Sequence, residues 1–514
     1  MTSVVPAPGS RTPRAALMLG LCAALIAWSC GERPSPTPQT SSAQAAAPEP
    51  APILVIGLDG FEWSIAAPLV ADGRMPHLEA LLARGRGGKL QTLEPTISPA
   101  IWTSMATSKN PEEHGIHGFV REGAPGEAER LYDRRDRRGK ALWSIFSDAG
   151  YAVRVIGWWV TWPAERVHGV MVAQTNTLEE ESNEGRMWKG RLRRDVPRQV
   201  HPPERQDELL AIAARAEAGL DLLLAEIFGP LELDPQSVGG RLWENSRWSL
   251  LADEIYRQVA LHLAQKDGRA DLSMIYFGGA DVLGHRFWRF AYPKGFRETP
   301  SEAEQAQLGL LIEHYYLHLD RVIGELVAAW PSGTDFVVVS DHGMHGDFYD
   351  RRFDGSQPLQ LLNSGAHADA PPGVFVAAGP SWKPSAVAFQ RTGFRASELD
   401  IEGRVHDLTP TLLSLYEIPR GKDMRGSILF GALARGIDLV GKVAEIPTHD
   451  AVPSAFGAEE DAAIDPAEAA RLEQLRTLGY LGGELDPAVK KGAPKDGAPP
   501  NGAKKDGEKQ DGEK

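Results

Sequence analysis

Apolar residues along this chain gather in short unbroken runs rather than in alternation. Ile53–Leu58, Leu272–Phe277 and Phe336–Val339 are three such runs, and Ala152–Trp158, Gly169–Ala173 and Val374–Ala378 are three more. Runs of this length, several of them ended by Gly, Asp or Pro, are the pattern of strands buried on both faces, as in parallel sheets. Between them the spacing turns helical. Leu78, Leu81 and Leu82 share one face of Arg74–Gly85, and Ala303–Trp330 carries a long pattern of the same kind. Glu179–Asp271 contains no clear buried strand. Its amphipathic pieces Asp207–Ile227 and Trp248–Gln265 predict a helical insertion, about residues 179–271, serving as a lid over the sheet edge. The fold class is therefore α/β, with helices around a mostly parallel sheet.

Another helix is predicted from Ser98. Pro99 suits a first helical position and Ser98 a cap just before it, with Ala100–Thr107 continuing. Unpaired backbone N–H groups at such an end favour phosphate. For an isolated Ser-Pro the cap role is sufficient explanation, and only other residues give Ser98 chemistry.

The ends of the chain differ from its middle. Arg11 and Arg14 precede the apolar run Ala15–Ile26, an export signal too short for a membrane span. The two cysteines, Cys22 and Cys30, both belong to this region, so the exported part has no disulfide framework. Cys30 after Ile26-Ala27-Trp28-Ser29 resembles a lipoprotein processing site, despite the awkward Trp28, and predicts membrane attachment through a lipid on Cys30. Residues 31–52 are rich in Pro, Ala and Ser and read as a disordered tether. A C-terminal extension is expected over 441–485, including a short helix Pro466–Leu478, before the polar tail 486–514. Chemistry should lie in a domain over 53–440. A formal charge of −14 argues against general nucleic-acid binding, which needs a basic surface.

Three of the apolar strands end in an acid. Asp59 follows Leu58, Asp281 follows Phe277 by four positions, and Asp341 follows Ser340. Ligands in open α/β sheets bind at such carboxyl ends. Asp281 and His285 would share a helical face at i and i+4, and Asp341-His342 offers carboxylate and imidazole from one turn. Carboxylates gathered in one cleft require compensating cations. A mixed oxygen and nitrogen donor set suits Zn²⁺, with Mn²⁺ as the alternative.

With His367 in Gly365-Ala366-His367, the motifs reach a family. LDGF at Leu58–Phe61, PTIS…TS…PEEHGI across Pro95–Ile116, GADVLGH at Gly279–His285, SDHGM at Ser340–Met344 and GAH at Gly365–His367 resemble the alkaline phosphatase superfamily, nearest its type I phosphodiesterase/nucleotide pyrophosphatase branch. The resemblance implies an alkaline-phosphatase-like three-layer sandwich and two metal sites. One would be held by Asp281, His285 and His367, the other by Asp59, Asp341 and His342 with Ser98. His367 is assigned by the resemblance alone. His114, inside a matching motif, is assigned a structural role, as is Asp407; His117 and His345 stay unassigned. Cleavage of a phosphodiester or pyrophosphate bond would then pass through a phosphoseryl intermediate on Ser98, whose alkoxide a metal favours. The substrate would be a small phosphoester, nucleotide-like in this branch.

Three departures bear on specificity. Phe119 stands where the branch has an Asn that contacts phosphate, Ser98 replaces its usual Thr, and Ser108 replaces a usual Gly. The alternatives are a phosphomonoesterase, a sulfatase, disfavoured because Ser98-Pro99-Ala100-Ile101-Trp102 lacks the Cys/Ser-x-Pro-x-Arg pattern, and a surface binding protein without turnover.

Overall fold

The computed structural model describes residues 49–121, 130–174, 176–179, 186–189, 198–357 and 359–456. The chain divides after Glu49, and the sheet with its flanking helices belongs to the unit from Pro50 onward. The expected signal, most of the tether, the Pro466–Leu478 helix and the polar tail lie outside the described residues.

The sheet is built from nine strands: β1 (Ile53–Leu58), β2 (Arg86–Gln91), β3 (Val153–Ile156), β4 (Gly169–Val172), β5 (Val200–His201), β6 (Leu272–Phe277), β7 (Asp335–Val339), β8 (Gly373–Ala378) and β9 (Ile401–Arg404). Their order is β9-β2-β8-β7-β1-β6-β3-β4-β5. β7, β1, β6, β3 and β4 are mutually parallel, and only β8 and the short β5 run against the rest. The apolar runs are the inner strands: every residue of β1, β6, β7 and β8 is buried. β2 and β9, with sequences RGGKLQ and IEGR, are too polar to read as buried runs and lie on the partly exposed side of the sheet.

Flanking helices include α1 (Ser98–Thr107), α2 (Gln206–Phe228), α3 (Arg247–Asp267), α4 (Gly279–Ala291) and α5 (Leu311–Ala329). α2 and α3 are the two amphipathic pieces of the insertion. The insertion also holds β5, a two-residue strand too brief for any periodicity to register, paired antiparallel to β4. α3 packs against β6 and α2, so the insertion walls the sheet. The pattern over 303–330 is two helices, Glu302–Leu308 and α5, broken at Gly309, where a Cβ would stand 2.6 Å from the Gln305 carbonyl. Residues 441–456 continue the same unit. Glu445–Ile446 pairs with Arg420–Gly421, and Lys109 Nζ bonds Asp423 Oδ2 (2.7 Å) and Asp450 Oδ2 (2.5 Å).

Asp335, fully buried at the start of β7, accepts a hydrogen bond from Ser381 N at 2.9 Å through Oδ1, while Oδ2 has no partner among the described residues. Burial pushes its carboxyl up to about 6. The folded chain therefore holds a proton there that the unfolded chain loses above the ordinary carboxylate range, and stability falls as pH rises from about 4 to about 6. The loss is on the order of 3 kcal/mol at neutral pH. Asp335→Asn should be more stable than the parent at pH 8 and no more stable at pH 4. Urea unfolding at the two pH values, with metal held constant, checks this.

Candidate metal centre

β1 is the middle of the parallel strands, with β6 on one side and β7 on the other. Their carboxyl ends are thus adjacent, which brings Asp59, Asp281 and Asp341 together from 222 and 60 positions apart in the chain. All three are at most 2% exposed. Gly60 makes the approach fit: its φ of 63° is left-handed, and a side chain there would stand 3.0 Å from the Asp281 backbone. Its N–H donates to Asp341 Oδ1 at 3.3 Å.

Ser98 enters from α1. It is the first residue of the helix, one position past the cap, and the cap residue Ile97 makes no side-chain hydrogen bond. The expected row of outward amides is shortened, because Pro99 has no N–H and those of Ala100 and Ile101 go to the Ile97 carbonyl at 3.0 Å. The hydroxyl turns to the acids instead: Ser98 Oγ lies 3.3 Å from Asp59 Oδ1 and 3.3 Å from His342 Nε2.

The histidines are oriented from behind. His342 Nδ1 faces the Gly343 carbonyl at 2.9 Å and His285 Nδ1 the Gly365 carbonyl at 2.8 Å. A carbonyl only accepts, so each Nδ1 carries the proton and each Nε2 is turned inward. His342 Nε2 then faces Asp341 Oδ2 at 3.3 Å and Asp59 Oδ1 at 3.5 Å, and His285 Nε2 faces Asp281 Oδ1 at 3.3 Å. A nitrogen lone pair set against carboxylate oxygens is stable only with a cation or an added proton between them. Neither Asp59 nor Asp341 has a Lys or Arg partner among the described residues. The donor set fits divalent metal ions.

Two groups offer three ligand atoms within 4.8 Å of one another: Asp59, Asp341 and His342, and Asp281, His342 and His367. His342 thus belongs to both, whereas the resemblance gave the second group His285. His285 is close by, its ring centroid 4.9 Å from that of His367, which stands 4.3 Å from that of His342. Burial, then the neighbouring Asp281, pushes Asp59 up; burial, then Asp59 and Asp281, pushes Asp341 well up. Burial also presses Asp281 upward, but the imidazoles of His285, His367 and His342 outweigh it and hold this carboxyl far below the usual range.

Other motif residues are engaged elsewhere. His114 is fully buried, with Nε2 at 2.9 Å from Ser104 Oγ and Nδ1 accepting from Ile116 N at 3.1 Å; burial lowers it to about 3. His345 faces two carbonyls, of Gly346 and Ala368, and His117 is exposed. Asp407 accepts from Arg404 N (2.8 Å) and Ser427 N (2.7 Å). Ser108 explains the family's glycine: it ends α1 at φ 57°, where its Oγ donates to the His406 carbonyl and accepts from Gly426 N, both at 2.9 Å.

Sequence reasoning missed Asp253 of α3. Its two oxygens accept from Gly278 N and Gly279 N at 2.8 Å each, capping the helix that carries Asp281 and His285, and Tyr315 donates to Oδ2. No local signal marks it, since the capped helix lies 25 residues away. α3 also supplies Trp248, Ser249 and Tyr256 to a small cavity that reaches Tyr276 and Asp281.

Residues 53–385 match the type I phosphodiesterase/nucleotide pyrophosphatase family. The chain belongs to that family. That family is divalent-metal dependent, in keeping with the buried Asp and His clusters. Among curated proteins none matches the chain. Solved structures similar to it include phosphonoacetate hydrolase from Sinorhizobium meliloti, with phosphonoacetate bound, at 19% identity and TM-score 0.35 over 58% of each chain. Murine ectonucleotide pyrophosphatase/phosphodiesterase 5 is similar at 13% identity and TM-score 0.38, over 71% of this chain and 95% of its own. The human protein of that name is 13% identical at TM-score 0.38, over 74% of this chain and all of its own. The chain spans under two thirds of the phosphonoacetate hydrolase.

Phe119, which the sequence resemblance sets against a phosphate-contacting Asn, is buried and packs edge-to-face on Trp159 with centroids 5.5 Å apart; Trp159 Nε1 donates to Asp59 Oδ2 at 3.4 Å. A phenyl ring offers phosphate no conventional donor. Phe119→Asn should cost about 3 kcal/mol of stability through the lost ring and shift the ratio of diester to monoester kcat/KM. An unchanged ratio would remove Phe119 from the substrate pocket.

Proposed function

We propose that this chain is an exported hydrolase that cleaves phosphodiester or pyrophosphate bonds of small, nucleotide-like phosphoesters through a phosphoseryl intermediate on Ser98. One observation carries the reading: the Ser98 hydroxyl is spent on Asp59 and His342, inside a buried cluster of metal-ligand type, and makes no cap hydrogen bond. Asp59, Asp341, His342 and Ser98 would hold one divalent ion and Asp281, His285 and His367 the other, with His342 near enough to serve either. Zn²⁺ suits this donor set best, with Mn²⁺ second. Bound ions supply Lewis-acid stabilisation of charge on the attacking and departing oxygens.

The chain's own residues do the rest. Asp59 Oδ1 and His342 Nε2, each 3.3 Å from Ser98 Oγ, would hold an ion against that oxygen; its proton passes to solvent as the oxygen attacks phosphorus, and the bond from phosphorus to the departing alcohol or phosphate breaks as that group leaves. Helix α1, buried throughout, holds that oxygen still. Water then hydrolyses the phosphoserine and restores the hydroxyl.

The test is metal content together with activity on a panel of aryl phosphodiesters, monoesters and sulfates. Two ions per chain with diesters cleaved fastest is expected; turnover confined to monoesters or sulfates overturns the substrate class, and none on any overturns the enzyme. Export is read separately. Cys30 should become the lipidated first residue of the mature chain, and mass spectrometry finding an unmodified start downstream of Cys30 would refute it.

A further inference from the structure

The two oxygens of Asp59 stand in different surroundings. Oδ1 faces the cluster, with Ser98 Oγ at 3.3 Å and His342 Nε2 at 3.5 Å. Oδ2 faces the other way and receives three donors: Tyr276 OH at 2.5 Å, Trp102 Nε1 at 3.1 Å and Trp159 Nε1 at 3.4 Å. Three donors saturate the lone pairs of one carboxylate oxygen.

These donors come from three elements that each also serve the site. Trp102 is four residues after Ser98 on α1, so the two side chains share a helical face and reach the same carboxylate, one on each oxygen. Tyr276 lies in β6, which leads to Asp281, and Trp159 lies just after β3. The rings also hold one another. Trp102 meets Tyr276 edge-to-face at 5.4 Å, Trp159 meets Tyr276 at 6.1 Å, and Trp158 packs on Trp102 at 4.9 Å. All are at most 5% exposed, so the donors have no room to turn away.

We propose that Trp102, Trp159 and Tyr276 are positioning residues: a clamp on Oδ2 that leaves Asp59 a single free oxygen, and so fixes it as a one-oxygen metal ligand beside Ser98. A buried Tyr or Trp needs some partner for its polar atom, and one such bond would mean only that. Three bonds converging on the same oxygen of a metal-ligand candidate restrain the direction in which the other oxygen points. Hydrogen bonds to ligating carboxylates set ligand orientation and basicity in this way. A one-oxygen carboxylate leaves coordination room for the hydroxyl, which a two-oxygen grip on the same ion would occupy.

The clamp rests on the proposed metal centre, and the experiment separates the two. The metal-free chain is titrated with Zn²⁺ in competition with a chromogenic chelator, for the parent, Tyr276→Phe and Trp102→Phe, with thermal unfolding of each metal-free form. Tyr276→Phe keeps the ring and removes only the donor. It should bind one of the two ions about 10- to 100-fold more weakly, leave the other unchanged, and unfold, metal-free, close to the parent. Trp102→Phe should weaken the same ion. Parent-like affinity for both ions in both variants overturns the clamp alone, even if the metal-free forms are less stable, since that is what mere packing would give. A parent that takes up no Zn²⁺ overturns the metal centre and the clamp with it.

Discussion

Ser98→Ala should lose activity by about 10⁴-fold or more while keeping its fold and its metal, because the nucleophile is removed and no ligand carboxylate or imidazole is touched. A capping serine predicts the reverse: about 1 kcal/mol of stability lost and turnover kept. The hydroxyl lies 3.3 Å from both Asp59 Oδ1 and His342 Nε2, the position the nucleophile role requires. Ser98→Thr should retain part of the activity, with loss set by whether the added methyl fits beside Trp102. Steady-state rates on an aryl phosphodiester, measured with bound metal for each purified variant, decide the matter. A fully metallated Ser98→Ala chain working at the parent rate would sink the phosphoseryl mechanism.

Chelation should destabilise the parent by several kcal/mol and more strongly at pH 8 than at pH 6. An ion present at about 1,000 times its Kd contributes about 4 kcal/mol to the folded state. Without it the buried acids are left facing one another. Asp59 and Asp341 are raised by burial and by neighbouring carboxylates, so the metal-free fold retains protons that the unfolded chain has lost, and its stability falls as pH climbs through the raised values. Asp281 acts in the opposite sense. Held low by His285, His367 and His342 against the effect of burial, it contributes stability above the ordinary carboxylate range and loses it only in acid. Asp341→Asn should therefore be more stable than the parent in EDTA at pH 8, yet take up less metal and lose activity. Unfolding midpoints with and without EDTA at the two pH values measure this. A parent indifferent to EDTA at both would mean that no ion occupies the buried cluster.

Stability and function are thus opposed at one residue. Asp341 is fully buried at a cost that, among the described residues, the Gly60 N–H and its own backbone amide offset only in part. Such residues mark a site because packing alone would not retain them.

Much of this was legible along the chain for a simple physical reason. A strand buried on both faces must be apolar throughout, so β1, β6, β7 and β8 announced themselves as runs, and an acid closing such a run stood out. Asp59, Asp281-x-x-x-His285 and Asp341-His342 were enough to suggest a metal site, and the hydrolase and His367 came from the resemblance of the motifs around them. Polar strands at and next to the sheet edges were not legible: β2, β9 and the two-residue β5 carry no run, and only pairing with their neighbours makes them strands. Tertiary structure alone decided three further things. The strand order placed β1 between β6 and β7, which brings acids hundreds of residues apart to one spot. The turn of α1 sent the Ser98 hydroxyl to Asp59 rather than to its own backbone. Finally, donors from α1, β6 and the turn after β3 met on the far oxygen of Asp59, and α3 reached across to cap the helix bearing Asp281. Sequence records residue types and their spacing, and these last relations are directions in space between segments that the chain does not bring together until it folds.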